Sequence, residues 1–148
     1  MTTTTPERPW QRGFWSLIVT QFQGAFSDNA LKTVVTFFGL SLALPPFWHK
    51  SLLPIATGVF SLPFILFSMT GGFLADRFSK RTVTIGVKVF EIAIMSFATA
   101  AFFTSNLWMG MTAIFLMGTH SAIFGPSKYG SLPELLPEKR LSWGNGIL

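Results

Sequence analysis

The 148-residue chain contains no cysteine. That absence excludes disulfide scaffolds, thiolate zinc sites and cysteine nucleophiles, and leaves the redox compartment undetermined. Charge is scarce as well: Asp, Glu, Lys and Arg supply 11% of the residues, whereas soluble domains carry about a quarter. An ordinary water-soluble fold is disfavoured, and so is a disordered chain, which needs low hydrophobicity and high charge. No nucleotide-binding loop, metal-ligand cluster or nucleophile triad occurs, so no catalytic residue, metal or cofactor is predicted. What the chain does have is apolar bulk. Apolar residues make up 49%, with 17 Phe and 5 Trp, and the mean hydropathy is +0.49.

A membrane-spanning helix needs roughly 20 largely apolar residues to cross about 30 Å of hydrocarbon. Four stretches meet that need, at about 14–44, 52–75, 83–103 and 107–124. Pro45 and Pro46 break the first from the second, 76–81 the second from the third, and Thr104-Ser105-Asn106 the third from the fourth. Gly125-Pro126 is expected to end the fourth. Arg8 and Arg12 before an apolar run suggest a signal peptide, but the run is too long and contains Gln21, Gln23, Asp28, Asn29 and Lys32, so it is read as a retained first span. Residues 1–13 are expected to form a cytoplasmic tail, and 125–148 a cytoplasmic connection leading into a fifth helix.

The net charge of +5 follows from topology. If four spans alternate, Arg8, Arg12, Arg77, Lys80, Arg81, Lys128, Lys139 and Arg140 share one side, and only Lys50 lies on the other. That asymmetry places the N-terminus and the 76–81 connection in the cytoplasm. A nucleic-acid partner is not needed to explain the basic residues.

Ionisable groups inside a span cost roughly 2.5–3.5 kcal/mol each on translocon scales and usually face protein or an aqueous cavity. In the first span Gln21, Asp28 and Lys32 recur at spacings of seven and four, which at about 100° per residue puts them on one stripe, with Asn29 beside it. Lys88 and Glu91 are three apart in the third span, close enough to pair on one face. The bland alternative is that these groups satisfy one another as ion pairs. It stands level with a ligand role for Lys88 and Glu91, and is less favoured for Asp28 and Lys32, whose stripe is richer than a pair requires. His120 is read as a packing or interfacial residue.

Between the second and third spans stands Gly71-Gly72-Phe73-Leu74-Ala75-Asp76-Arg77-Phe78-Ser79-Lys80-Arg81. It resembles the signature loop of the major facilitator superfamily, a Gly-x-Leu-Ala-Asp-Arg-x-Gly-Arg-Arg pattern between helices two and three. Ser79 replaces a usual Gly, and Lys80 a usual Arg. The resemblance implies a cytoplasmic latch in which Gly72 lets helices approach, Asp76 accepts hydrogen bonds from a partner helix, and Arg77, Lys80 and Arg81 bridge to acidic groups or anionic membrane lipids.

Two further segments narrow the branch. The run from Gln21 to Lys32, with Gln-Phe-x-Gly-Ala-Phe-x-Asp-Asn, is similar to the first helix of the bacterial lysophospholipid transporters, a module also found fused to acyl-ACP-phospholipid acyltransferase/ligase. The run Phe124-Gly125-Pro126-Ser127-Lys128-Tyr129-Gly130 is similar to the segment after their fourth helix. The resemblance implies an all-α integral membrane protein whose four helices are the first two-thirds of a six-helix bundle. The expected protein is a multi-pass secondary transporter of the bacterial inner membrane, working by alternating access. Its substrate would be lysophospholipid or another small or amphipathic solute, held by Gln21, Asp28, Asn29, Lys32, Lys88 and Glu91. Ending at Trp143-Gly144-Asn145-Gly146-Ile147-Leu148, the chain is expected to be an N-terminal portion whose C-terminal helices are partners it needs in order to transport.

The rivals explain less. A glycerolipid acyltransferase needs a His with a nearby supporting Asp, but His49 and His120 are followed at that spacing by Pro54 and Gly125. Any acyltransferase domain would lie in a C-terminal extension. A small dual-topology exporter would lack the charge bias, and a membrane scaffold gives Asp28 and Lys32 no role.

Overall fold

Prolines and short polar side chains set the helix ends. The computed structural model describes residues 9–77, 79–136 and 138–147, with backbone alone at 9–10, 68, 70–72, 74–76, 80–81, 126–132, 134–135 and 139. Four long helices run α1 Pro9–Ser41, α2 Pro46–Arg77, α3 Lys80–Phe103 and α4 Leu107–Leu135. A single 3-10 turn, Glu138–Arg140, leads to the short α5, Leu141–Ile147. Pro46 stands at the first position of α2, where its missing N–H would be unbonded anyway. Ser79 caps α3 by accepting from the Thr82 amide at 3.2 Å. Asn106 does the same for α4 through the Met109 amide, also at 3.2 Å.

The α3–α4 corner is a Schellman turn. Asn106 N–H donates to the Ala101 carbonyl at 3.0 Å and Ser105 N–H to Phe102 at 3.2 Å, with Ser105 in the left-handed region at φ 50°. Two helix ends differ from the sequence expectation. The second helix, expected to end at 75, stays helical as α2 to Arg77, and α3 begins at Lys80, because nothing between 71 and 77 lacks a backbone donor. The α4 helix also runs past Gly125-Pro126 to Leu135. A proline removes its own amide, and the amides beyond it still find carbonyls one turn back.

Helix α4 is the hub. It packs most extensively on α2, then on α3 and α1, while α1 and α3 barely touch. The main core joins Leu31 and Val35 of α1, Leu52 and Ala56 of α2, Ile94 and Ala98 of α3, and Met111, Ile114 and Met117 of α4. At the opposite end Phe14 packs with Leu136, and its ring lies 5.2 Å from that of Trp143. Close approach of α2 and α4 depends on Gly118. A Cβ there would fall 2.2 Å from the Phe60 carbonyl oxygen and 3.2 Å from the Pro63 ring, the small-residue crossing typical of membrane helices.

Among the described residues three helices are long and apolar enough to cross a membrane, over Pro46–Phe67, Thr82–Phe103 and Leu107–Gly125. With 33 residues, α1 is long enough, but Gln21, Gln23, Asp28, Asn29 and Lys32 dilute its apolar content. Large apolar side chains stand outward on all four helices, among them Phe22, Phe37, Ile65, Ile92 and Trp108. In water such a surface is a liability; in a bilayer it is the solvent contact. The protein is an all-α membrane protein.

Candidate functional site

Polar side chains from α1, α3 and α4 meet between the two apolar cores. Ser121 Oγ donates to Asp28 Oδ2 at 2.7 Å, joining α4 to α1. Lys88 Nζ donates to Glu91 Oε2 at 2.6 Å along α3, an i,i+3 pair. His120, one residue before Ser121, places Nε2 3.8 Å from that same Glu91 oxygen. Consecutive α4 residues therefore reach the acid of α3 and the acid of α1.

Burial makes this arrangement consequential. Glu91 is 4% exposed and His120 is 2% exposed, and a buried charge is tolerated only when paired and hydrogen-bonded. Lys88 neutralises Glu91. Asp28 is satisfied on one side only: its Oδ1 is buried with no hydrogen-bond partner among the described residues, and the same holds for Gln21 Nε2. Among the described residues the two nitrogens of His120 also lack a partner.

The residues that carry these atoms line one cavity of about 520 Å3. Gln21, Asp28, Lys88, His120 and Ser121 form its polar wall, and Ile18, Phe22, Phe64 and Phe124 its apolar wall. A second cavity of about 530 Å3 lies on the other side of Lys88, between Gln23 and Ser27 of α1 and Glu91, Ile92 and Met95 of α3. Lys88 lines both. Its ammonium lies beside α1 at Gly24, where a Cβ would stand 4.0 Å away, an ordinary contact.

The predicted site residues part company here. Gln21, Asp28 and Lys88 meet at the first cavity, and Glu91 stands behind Lys88. Lys32 does not pair with Asp28; its ammonium sits 4.3 Å over the Phe60 ring of α2, a cation–π contact. Asn29 is exposed and donates to its own helix at the Ala25 carbonyl, 2.8 Å away, so it stays out of the cluster. Sequence reasoning missed Ser121 and the placement of His120. A polar His-Ser pair deep in an apolar helix was the signal available. In the signature segment, Arg77 is exposed with its guanidinium 5.7 Å from the Phe73 ring. The Gly72, Asp76, Lys80 and Arg81 side-chain positions lie outside the described residues.

A family model described as transmembrane secretion effector, MFS_3, matches residues 51–144. The chain belongs to the transmembrane secretion effector family. Membership bears out the resemblance to the major facilitator superfamily, and with the apolar helices it makes the protein a multi-pass membrane protein. Within the curated proteins, this member of the family is 34% identical over 142 residues to the lysophospholipid transporter LplT of Escherichia coli strain SMS-3-5, across 94% of this chain and 32% of the relative. LplT of Shigella boydii serotype 18 matches with the same identity and coverage. The chain thus spans about a third of the length of the curated relatives it matches. No solved structure matches it. The relatives are named as transporters, in keeping with a role other than catalysis.

Proposed function

We propose that the chain supplies the first four spanning helices of a secondary transporter that moves lysophospholipid across the bacterial inner membrane by alternating access, four of the six helices of one bundle. The N-terminus is cytoplasmic in this reading. Its support is the charge bias: Arg12, Arg77 and Arg140 lie toward the end where α1 begins and α2 and α4 finish, and Lys50 toward the other. The first helix spans despite its polar stripe because that stripe turns to protein, with Asp28 bonded to Ser121 and Lys32 seated on Phe60.

The observation that carries the substrate class is the two-sided cavity. Its polar wall is built of Asp28, Gln21 and Lys88, the first two each carrying a buried polar atom without a partner among the described residues; its other wall is aromatic and aliphatic. A lysophospholipid has the same division, a charged head group on one acyl chain. A phosphate suits Lys88, an amine or hydroxyl suits Asp28, and the chain suits Phe22, Phe64 and Phe124. At about 520 Å3 the cavity takes a head group and the first part of a chain.

Binding of radiolabelled lysophosphatidylethanolamine to the chain in nanodiscs tests this reading. Saturable binding that weakens at least tenfold in Asp28→Ala supports it. Parental affinity in that variant removes the site.

A further inference from the structure

Glu91, Lys88 and His120 do more than neutralise one carboxylate. Lys88 and His120 converge on a single oxygen, Glu91 Oε2, at 2.6 and 3.8 Å. The shorter contact is made; the longer one is an ångström short of a charge-assisted hydrogen bond, about 2.7–2.9 Å. Both Lys88 and His120 also face the cavity of about 520 Å3. Among the described residues, the titratable groups facing His120 are Glu91 and Lys88 from α3 and Asp28 from α1, with Lys32 beyond Asp28 on the same helix. The α2 and α5 helices present Phe64 and Ile147 to this cavity, neither of them titratable.

Among the described residues, and counting Lys32 behind Asp28 although it does not line the cavity, two acids stand against two ammonium groups when His120 is neutral. A net negative head group entering that wall breaks the balance in a low-dielectric setting, where an uncompensated charge is expensive. Among the described residues facing the cavity, protonation of Asp28 or of His120 would restore neutrality, and of the two it is His120 whose new charge meets a carboxylate, Glu91 Oε2, 3.8 Å away.

We infer that His120 is a proton-binding site linked to the head group: an anionic lysophospholipid is bound together with one proton, a net neutral one without. The inference rests on the lysophospholipid reading of the cavity. As the phosphate enters, a proton from water bonds to the free ring nitrogen of His120, the other nitrogen already carrying hydrogen. The imidazolium moves onto Glu91 Oε2. Lys88 exchanges Glu91 for the phosphate, a short swing for an ammonium already at the boundary of two cavities. Glu91 changes its cation and never stands alone.

Calorimetry on the chain in nanodiscs of zwitterionic lipid tests the inference. Binding heats near pH 7 are measured in buffers of different ionisation enthalpy, and their slope counts the protons taken up. The probes are lysophosphatidylglycerol, with one net negative charge, and lysophosphatidylethanolamine, with none. The expected slope is about one proton for the anionic lipid and about zero for the zwitterion. In His120→Asn the anionic lipid binds with no proton uptake and at least tenfold more weakly. In Glu91→Gln the cluster already carries a spare positive charge, and the anionic lipid binds with no uptake at parental or better affinity. The two variants remove uptake with opposite effects on affinity, which a loss of folding does not do. A zero slope for lysophosphatidylglycerol in the parent, or an unchanged slope in His120→Asn, overturns the inference while leaving the cavity's substrate class standing. Absence of binding by either lipid overturns both.

Discussion

Ser121 Oγ donates a 2.7 Å hydrogen bond to Asp28 Oδ2 across 93 residues of chain. It is the one hydrogen bond of the Asp28 carboxylate among the described residues, because Oδ1 is buried without a partner. The bond ties α4, the central helix, to the polar stripe of α1, beside the cavity that both residues line.

Ser121→Ala removes that donor and leaves the whole carboxylate unbonded. Losing one partner of a buried polar group costs about 1–3 kcal/mol. A fall of that size is expected in the SDS-induced unfolding free energy, followed by tryptophan fluorescence. Ser121→Thr, which keeps the hydroxyl, is expected to recover most of it.

Lys88→Met takes its bonded cation from Glu91, a carboxylate only 4% exposed, and leaves His120 Nε2 3.8 Å away. Removing one member of a buried pair typically costs about 3–5 kcal/mol, because the other charge stays buried. The double variant Lys88→Met/Glu91→Gln is expected to be more stable than Lys88→Met alone. Additive losses in that double-mutant cycle would show that the pair carries no coupling.

Gly118→Ala places a methyl 2.2 Å from a backbone oxygen on α2. Since backbone cannot step aside as a side chain can, α2 and α4 must separate, at a cost of about 1–3 kcal/mol. Gly58 and Gly86 have open space where a Cβ would go, and alanine at either is expected to leave thermal unfolding in detergent unchanged or slightly improved. The contrast between the three glycines is the measurement.

Ser105→Gly relaxes the left-handed residue of the α3–α4 corner, φ 50°. A non-glycine residue there costs roughly 1 kcal/mol. Glycine is expected to raise the stability of the chain by up to that amount, and Ser105→Val to lower it, read by circular dichroism melts.

How much of this was readable in advance depends on distance along the chain. The apolar runs at 83–103 and 107–124 fall on the parts of α3 and α4 that are long and apolar enough to cross a membrane, Thr82–Phe103 and Leu107–Gly125, because hydropathy is a sum over neighbours. Lys88–Glu91 was readable too, since three residues is less than one helical turn. Helix ends were less so: Pro126 resembles a stop in one dimension, yet α4 carries through it to Leu135. Gln21, Asp28 and Lys32 share a stripe as the 100° periodicity demands, yet they serve different neighbours. Asp28 meets Ser121, and Lys32 lies over Phe60. Asn29 turns to its own backbone.

The amino-acid order alone was enough to specify an apolar, cysteine-free membrane chain with its basic residues gathered toward one side, a polar stripe on α1 and an ion pair on α3. Those properties arise within one or two helical turns and survive whatever the neighbours do. The meeting of His120 with Glu91 and of Ser121 with Asp28, and the cavity between them, came from how four helices pack. That packing depends on contacts such as Gly118 against the Phe60 carbonyl, where absent side-chain atoms let two backbones approach. Periodicity says which residues share a face, but only the crossing of helices says what that face meets.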